Sequence, residues 1–235
     1  LEQVQQPVIP VMGELIRQTP GTLSLGQGMV SWGPPAQVHQ AVAAALQQGD
    51  PGLDRYGPMA GSEALRDALE LWLQREQSLD LSESALLITA GSNMAFNAVV
   101  QVLCDPGDEL ILPVPYYFNH EMAIRLAGGT PIAVETGVVP DPERLAAAIT
   151  PRTRAIVTIS PNNPSGAVFP RDVLAAINHL CAERGLLHIS DEAYALFSYG
   201  GESVWSPGRG AGSGSHTITL GSLSKSHGMA GWRIG

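Results

Sequence analysis

Short, unbroken apolar runs alternate with longer amphipathic stretches over most of this chain. Ala85 to Thr89, Glu109 to Leu112, Pro131 to Val134, Arg154 to Ile159, Leu186 to Ser190 and His216 to Leu220 read as strands. Between them, Asn93 to Leu103, Tyr117 to Leu126, Pro142 to Ile149 and Arg171 to Arg184 carry the helical period. Continuous apolar strands alternating with helices predict an α/β fold, a three-layer sandwich around a mostly parallel sheet covered on both faces. Ahead of this region, Gln37 to Gln48 is an alanine-rich helix closed by Gly49. Ser62 caps a second helix running to Gln77, with Leu65, Leu69 and Trp72 as its apolar stripe. Residues 1–23 read as a weakly patterned arm broken by Pro7, Pro10 and Pro20, and 200–215 as a flexible Gly/Ser-rich surface loop. There are no repeats and no domain linker.

Composition narrows the partners. At 235 residues the chain can bury a large core, and no apolar run reaches the length of a membrane span. The net charge of −9 argues against nucleic acid or an anionic membrane, while leaving room for a small anion in a local pocket. The first residues, LEQVQQPVIPVMGEL, lack the pattern of a secretory signal, so a cytoplasmic location is expected. Cys104 and Cys181 stand on apolar faces of separate helices and read as buried free thiols. The six histidines show no metal-ligand spacing, and no metal is assigned. The glycines of GRGAGSG follow no strand and precede no apolar helix, so they make no dinucleotide site.

In a parallel sheet, ligands bind where the strands end, so the residues after each strand carry the candidate chemistry. Ala90-Gly91-Ser92-Asn93 opens a helix and suits a phosphate, although Ser92 also suits a plain helix cap. Tyr117, in PVPYY, offers a ring to a flat cofactor or to the core. SPNNPSG presents the amide of Asn163. Asp191 and Tyr194, in DEAY, could address opposite sides of one heteroaromatic ring, and Asp191 could equally cap a turn. Lys225 is the only lysine in the sequence and sits in the turn GSLSK, between Ser222 and Arg233. It reads either as a surface residue or as an amine that traps a carbonyl as a Schiff base, with Ser222 and Arg233 gripping an anion beside it.

Taken together, GQGMVSW, YGPMAGSEALRDAL, TAGSNMAF, DPGDELILPVPYY, SPNNPSG, DEAY and SLSKSHGMAGWRIG resemble the class I/II aminotransferases, fold-type I enzymes dependent on pyridoxal 5'-phosphate (PLP). The resemblance covers essentially the whole chain. It implies an arm and part of a small domain in residues 1–30 and the cofactor-binding large domain in 31–235, with the small domain incomplete. It implies transfer of an amino group between an L-amino acid and a 2-oxo acid, with Lys225 linked to the cofactor as an aldimine and carrying the proton. Asp191 would pair with the ring nitrogen, Tyr194 and Asn163 with the ring oxygen, and Tyr117 with the ring face. Ser92, Asn93, Ser222 and Arg233 would hold the phosphate. Tyr56 would reach the phosphate of a neighbouring subunit in a homodimer with shared sites. Gly28 and Trp32 would meet the substrate, as would Asn163, whose bond to Pro164 is expected to be cis. β-Elimination, or C–S lysis, uses the same lysine and aspartate. The effector domain of an aminotransferase-like regulator would need a basic DNA-binding domain in front. The chain departs from the family where Val30-Ser31-Trp32 replaces the common P-D-F, and it stops two residues after Arg233. Members continue into a segment bearing an arginine for the substrate carboxylate; nothing here matches it, and the sequence is expected to belong to a longer enzyme.

Overall fold

A computed structural model describes residues 4–26, 28–82, 84–199 and 204–235. Its centre is a five-stranded parallel sheet: β1 (Glu109–Val114), β2 (Thr130–Glu135), β3 (Thr153–Ile159), β4 (Leu187–Asp191) and β5 (Thr217–Leu220), in the order β2-β1-β3-β4-β5. The chain steps from β1 to β2 on one flank and then crosses to β3 on the other. The carboxyl ends of β1 and β3 therefore form a topological switch point, where crevices open in such sheets.

Seven α-helices accompany the sheet among the described residues: α1 (Val8–Gln18), α2 (Ala36–Gln48), α3 (Glu63–Gln77), α4 (Ser92–Leu103), α5 (Phe118–Leu126), α6 (Pro142–Ala147) and α7 (Arg171–Arg184). On one face of the sheet, Phe96 and Val100 of α4 and Ile124 of α5 pack on Leu110, Leu112, Val157 and Ile189. On the other, Leu145 of α6 and Ile177 and Cys181 of α7 cover Ile111 and Ile156. This is the three-layer arrangement that the apolar runs demand. Every strand and helix expected from Asn93 onward is present, with no bound moved by more than two residues. Cys104 and Cys181 are both buried and free.

Strand β4 runs through the middle of this sandwich and differs between its faces. Leu187 and Ile189 join the apolar cluster under α4 and α5. His188 and Ser190 point the other way, into hydrogen bonds. His188 meets Thr158 Oγ1 at 2.8 Å and Asn178 of α7 at 3.1 Å, and Ser190 donates to Glu192 at 2.9 Å.

Three expectations are corrected. The arm is not broken throughout: residues 8–18 form α1, because Pro10 falls in the first turn, where its missing N–H would lack an intrahelical partner anyway. Ala85–Thr89 does not join the sheet. It is held by Ile88 N–H on Ala60 O and by a reciprocal pair of bonds between Thr89 and Gly235, at 2.8 and 3.0 Å, which is too short a ladder for a strand. The Gly/Ser-rich stretch is not a free surface loop. Within its described part, residues 204–215, Ser206, Pro207 and Ser213 are buried and two 3-10 turns pack on β5. Gly208 lets this segment approach, since a Cβ there would lie 2.9 Å from Leu79 and 3.0 Å from Thr219. The remainder of that stretch, 200–203, lies outside the described residues.

Candidate active site

The carboxyl ends of β4 and β5 carry the acid and the amine. Asp191, at the end of β4, is 5% exposed, and its two oxygens do different jobs. Oδ1 accepts from Ala193 N–H at 3.0 Å and caps the turn, while Oδ2 meets His120 Nε2 at 3.1 Å. The turn cap and a contact with a buried histidine thus coexist in one side chain. His120 is itself 1% exposed and stacks on Phe96 with ring centroids 4.0 Å apart, so the acid is pinned from the core side. Tyr194 stands in the turn that follows. Burial raises the pKa of its phenol, with Tyr117 and Asp191 adding to the effect, which keeps the group a proton donor.

Lys225 lies half-buried in the turn after β5 and donates from Nζ to Gly28 O at 2.7 Å. Burial lowers the pKa of its ammonium, and the nearby Arg233 lowers it further. Both effects move this amine toward the neutral form that attacks a carbonyl. Gly28 is where the N-terminal arm meets the site, since a Cβ there would stand 3.0 Å from Tyr194 Oη and 3.6 Å from Lys225 Nζ. The arm is also seated by Gly228, whose positive φ of 63° and lack of a side chain admit the backbone of Trp32 and Gly33. Trp32 stacks on Phe197 at 6.2 Å and donates from Nε1 to Ser226 O at 3.4 Å.

An anion cradle borders the amine. Gly91, with φ of 86°, caps α4, so Ser92 and Asn93 occupy the first two helical positions, where N–H groups have no intrahelical acceptor. Arg233, itself in the left-handed region at φ 55°, lays its guanidinium over Gly91, where any side chain would collide with it. The guanidinium donates to Ala230 O at 2.8 Å, Ala90 O at 3.3 Å and Ser224 Oγ at 3.4 Å. Ser222 Oγ accepts from Ser224 N–H at 3.0 Å, tying it to the same turn.

Two residues flank the switch point. Tyr117, at the start of α5, meets His120 edge-on at 5.5 Å, and its hydroxyl accepts from Asn119 at 2.7 Å. Asn163 follows β3, half-buried, with a cis bond to Pro164 as expected. The structure therefore gathers Lys225, Asp191, Tyr194, Gly28, Tyr117, Arg233, Ser222, Ser92 and Asn93 along one edge, with Asn163 and Trp32 beside them. Tyr56 does not join them: its side chain is fully exposed on the turn before α3. His120 and Phe197 escaped the sequence reading. The available signal for His120 was its place three residues after Tyr117, on the same helical face.

A parallel sheet whose carboxyl edge gathers a pKa-lowered amine, a buried acid, a phenol and an anion cradle is the architecture of the fold-type I transferases. Residues 21–235 match the family described as aminotransferase class I and II. The aspartate/prephenate aminotransferase of Thermus thermophilus is 42% identical over 226 residues, covering 94% of this chain and 57% of that protein. An aromatic aminotransferase of Arabidopsis thaliana is 35% identical, covering 97% of this chain and 58% of that protein. Among solved structures, aspartate aminotransferase from Thermus thermophilus with maleate superposes with a TM-score of 0.87 at 39% identity, covering 99% of this chain and 62% of that one. This chain belongs to the class I and II aminotransferase family. It spans somewhat over half the length of these relatives.

Proposed function

We propose that this chain is the cofactor-binding part of a PLP-dependent transaminase that moves an amino group between an L-amino acid and a 2-oxo acid. The observation that carries the reading is Lys225, the chain's only lysine, half-buried with a lowered pKa between Gly28 and the Arg233 cradle. The residues fit the cofactor's three recognition points. Gly91 leaves the space, and Ser92 N–H, Asn93 N–H, Ser222 and Arg233 the donors, for a phosphate. Asp191 offers a buried acid for a ring nitrogen, and Tyr194 and Asn163 offer donors for a ring oxygen. PLP, when bound, supplies an aldehyde for the amine and a ring that accepts the electrons released at the substrate's α-carbon.

The protein's own tasks follow from the geometry. Asp191, fixed by His120, holds a proton on the ring nitrogen. Tyr117 presents its ring to one face. Lys225 takes the proton from the substrate carbon and delivers it again, a task suited to an amine whose pKa burial has lowered. Gly28 brings the arm's backbone to the substrate, and Trp32 lines the entrance. Elimination uses the same residues; the aminotransferase names of the relatives weigh for transamination.

Borohydride treatment of the cofactor-loaded protein should leave the reduced label on the peptide containing Lys225, and label recovered elsewhere would overturn the assignment. Conversion to the pyridoxamine form on adding an amino acid separates transamination from elimination, which releases pyruvate and ammonia without an oxo acid. The buried free thiols support a cytoplasmic setting.

The bare phenol of Tyr56 supports a homodimer in which it serves the partner's phosphate. Tyr56→Phe should weaken cofactor retention by roughly one to two powers of ten, the worth of a hydrogen bond to a charged group. Mixing it with Lys225→Ala should restore activity, because one site of the mixed dimer escapes both lesions. No recovery despite verified subunit exchange would place Tyr56 within its own site.

A further inference from the structure

We infer that Asn162 is a positioning residue that braces the switch point and sets the spacing between Tyr117 and Asn163; this rests on the cofactor reading above. The need for a brace comes from β1. In a parallel strand, alternate residues turn both backbone groups to the same neighbour. Glu109 N–H donates to Arg152 O at 2.9 Å, so positions 109, 111 and 113 face β3. Position 113 is proline and has no N–H to give. The ladder between β1 and β3 accordingly ends at Ile111↔Ile156, although β1 continues to Val114 and β3 to Ile159. A small cavity of about 10 Å³ opens in the split, lined by Leu112, Tyr116, His120, Thr158 and Phe169 among others.

Asn162 closes the outer end of this split. It is 7% exposed, and its Nδ2 donates to Pro115 O at 3.2 Å. Among the described residues, this is the one side-chain hydrogen bond joining the segment after β1 to the segment after β3. The carbonyl side of the amide is spent on its own turn: Oδ1 accepts from Ser165 N–H at 3.1 Å and from Ser165 Oγ at 2.7 Å. Its backbone is pinned as well, with N–H on Ala167 O and C=O under Gly166 N–H, both at 2.8 Å. One amide thus grips the turn that presents Asn163 and reaches across to the turn that presents Tyr117. The β3 side is fastened to β4 by a ladder that runs as far as Ile159↔Asp191. The His120–Asp191 contact adds a second link from the β1 side, through α5, to the carboxyl end of β4.

Asparagine to aspartate separates the brace from the turn. Asn162→Asp keeps acceptors for Ser165, loses the donor to Pro115 and adds a charge, Asn162→Ser loses the donor without adding one, and Ser165→Ala removes a side-chain bond of the turn and spares the brace. The readouts, in the full-length cofactor-loaded protein, are the pH titration of the lysine-bound cofactor's visible band and the rate of cofactor release. A slack Asn163 amide withdraws less charge from the ring oxygen, so Asn162→Asp should raise the titration midpoint. It should also speed release roughly threefold to tenfold, the worth of one neutral hydrogen bond. Ser165→Ala should keep wild-type values. Asn162→Ser, too short to reach Pro115, should match Asn162→Asp and serves in its place if that variant does not fold. Wild-type midpoint and release in both Asn162 variants would overturn the inference, as would an equal change in Ser165→Ala. A wild-type protein with no lysine-bound band would instead remove the cofactor reading, and this inference with it.

Discussion

Asp191→Ala should lower turnover by roughly a hundredfold to a thousandfold, the usual cost of deleting one preorganised electrostatic partner from a reacting centre. The expectation rests on how completely the carboxyl is committed. It is buried, one oxygen is held by Ala193 N–H, and the other faces a histidine that is itself buried and stacked on Phe96. Nothing else at this strand end could take over. Glu192, the nearest acid in sequence, is buried in hydrogen bonds to Ser190 and Ser206. Asp191→Asn should behave almost as badly with less disturbance of packing, since it keeps the shape and loses the acid. Steady-state kinetics at saturating PLP, with circular dichroism to verify the fold, decide the matter. Activity within threefold of wild type in Asp191→Asn would remove Asp191 from the ring nitrogen.

The pH dependence of stability should split in opposite directions between two variants on the far side of the same strand. Burial pushes the Glu192 carboxyl up to about 7, against hydrogen bonds from Ser206 and Ser190 and the nearby Arg209, which pull the other way. Below the unfolded value of 4.5 both states hold the proton and the folded protein keeps its full stability. As pH rises from there to about 7, the unfolded chain releases a proton that the fold retains, and stability is lost. At about 1.4 kcal/mol per unit this comes to about 3 kcal/mol. Burial, with His216 adding to it, drives His188 down from 6.5 to about 3. The stability it contributes is complete above 6.5 and is lost as pH falls toward 3, by about 5 kcal/mol on the same conversion. Between 4.5 and 6.5 the two slopes oppose and nearly cancel. Glu192→Gln should therefore gain on wild type as pH rises from about 4.5 to 7, and His188→Gln should gain as pH falls below 6.5. Urea titrations across that range measure both differences. Parallel curves for wild type and Glu192→Gln would show that the carboxyl does not titrate as its burial dictates.

Much of this was legible in the chain because the layers depend on apolar periodicity and the site on strand ends. Lys225, Asp191, Tyr194 and Arg233 could be found since each follows or closes a readable strand. α1 was hidden because Pro10 looked like a breaker, and a proline's effect depends on which turn it occupies. Ala85–Thr89 looked like a strand because its residues are apolar, and its partner among the described residues is Gly235, far along the chain, a pairing that no local pattern encodes. His120 and Asn162 were opaque for a related reason. Their roles are contacts with Asp191 and Pro115, residues 71 and 47 positions away, and spacing along the chain does not report such meetings. Pro113 was visible from the start, but its effect on the ladder depends on which neighbour it faces.

Strand β4 also sends two adjacent carboxyls into different layers. Asp191 and Glu192 are neighbours of like chemistry, yet one meets His120 in the pocket and the other meets Ser190 and Ser206 in the opposite layer. Parity along the strand makes that choice, because successive side chains leave on opposite faces. Deleting Ser190 would put Glu192 in the place of Asp191, facing His120, and would turn Asp191 into the opposite layer. The frame is locked by pairing on both flanks, with β3 from Leu187 to Asp191 and with β5 from His188 to Asp191. Point substitutions at 191 or 192 should consequently be far easier for this protein to explore than insertions or deletions in β4, which would change every side chain's address at once.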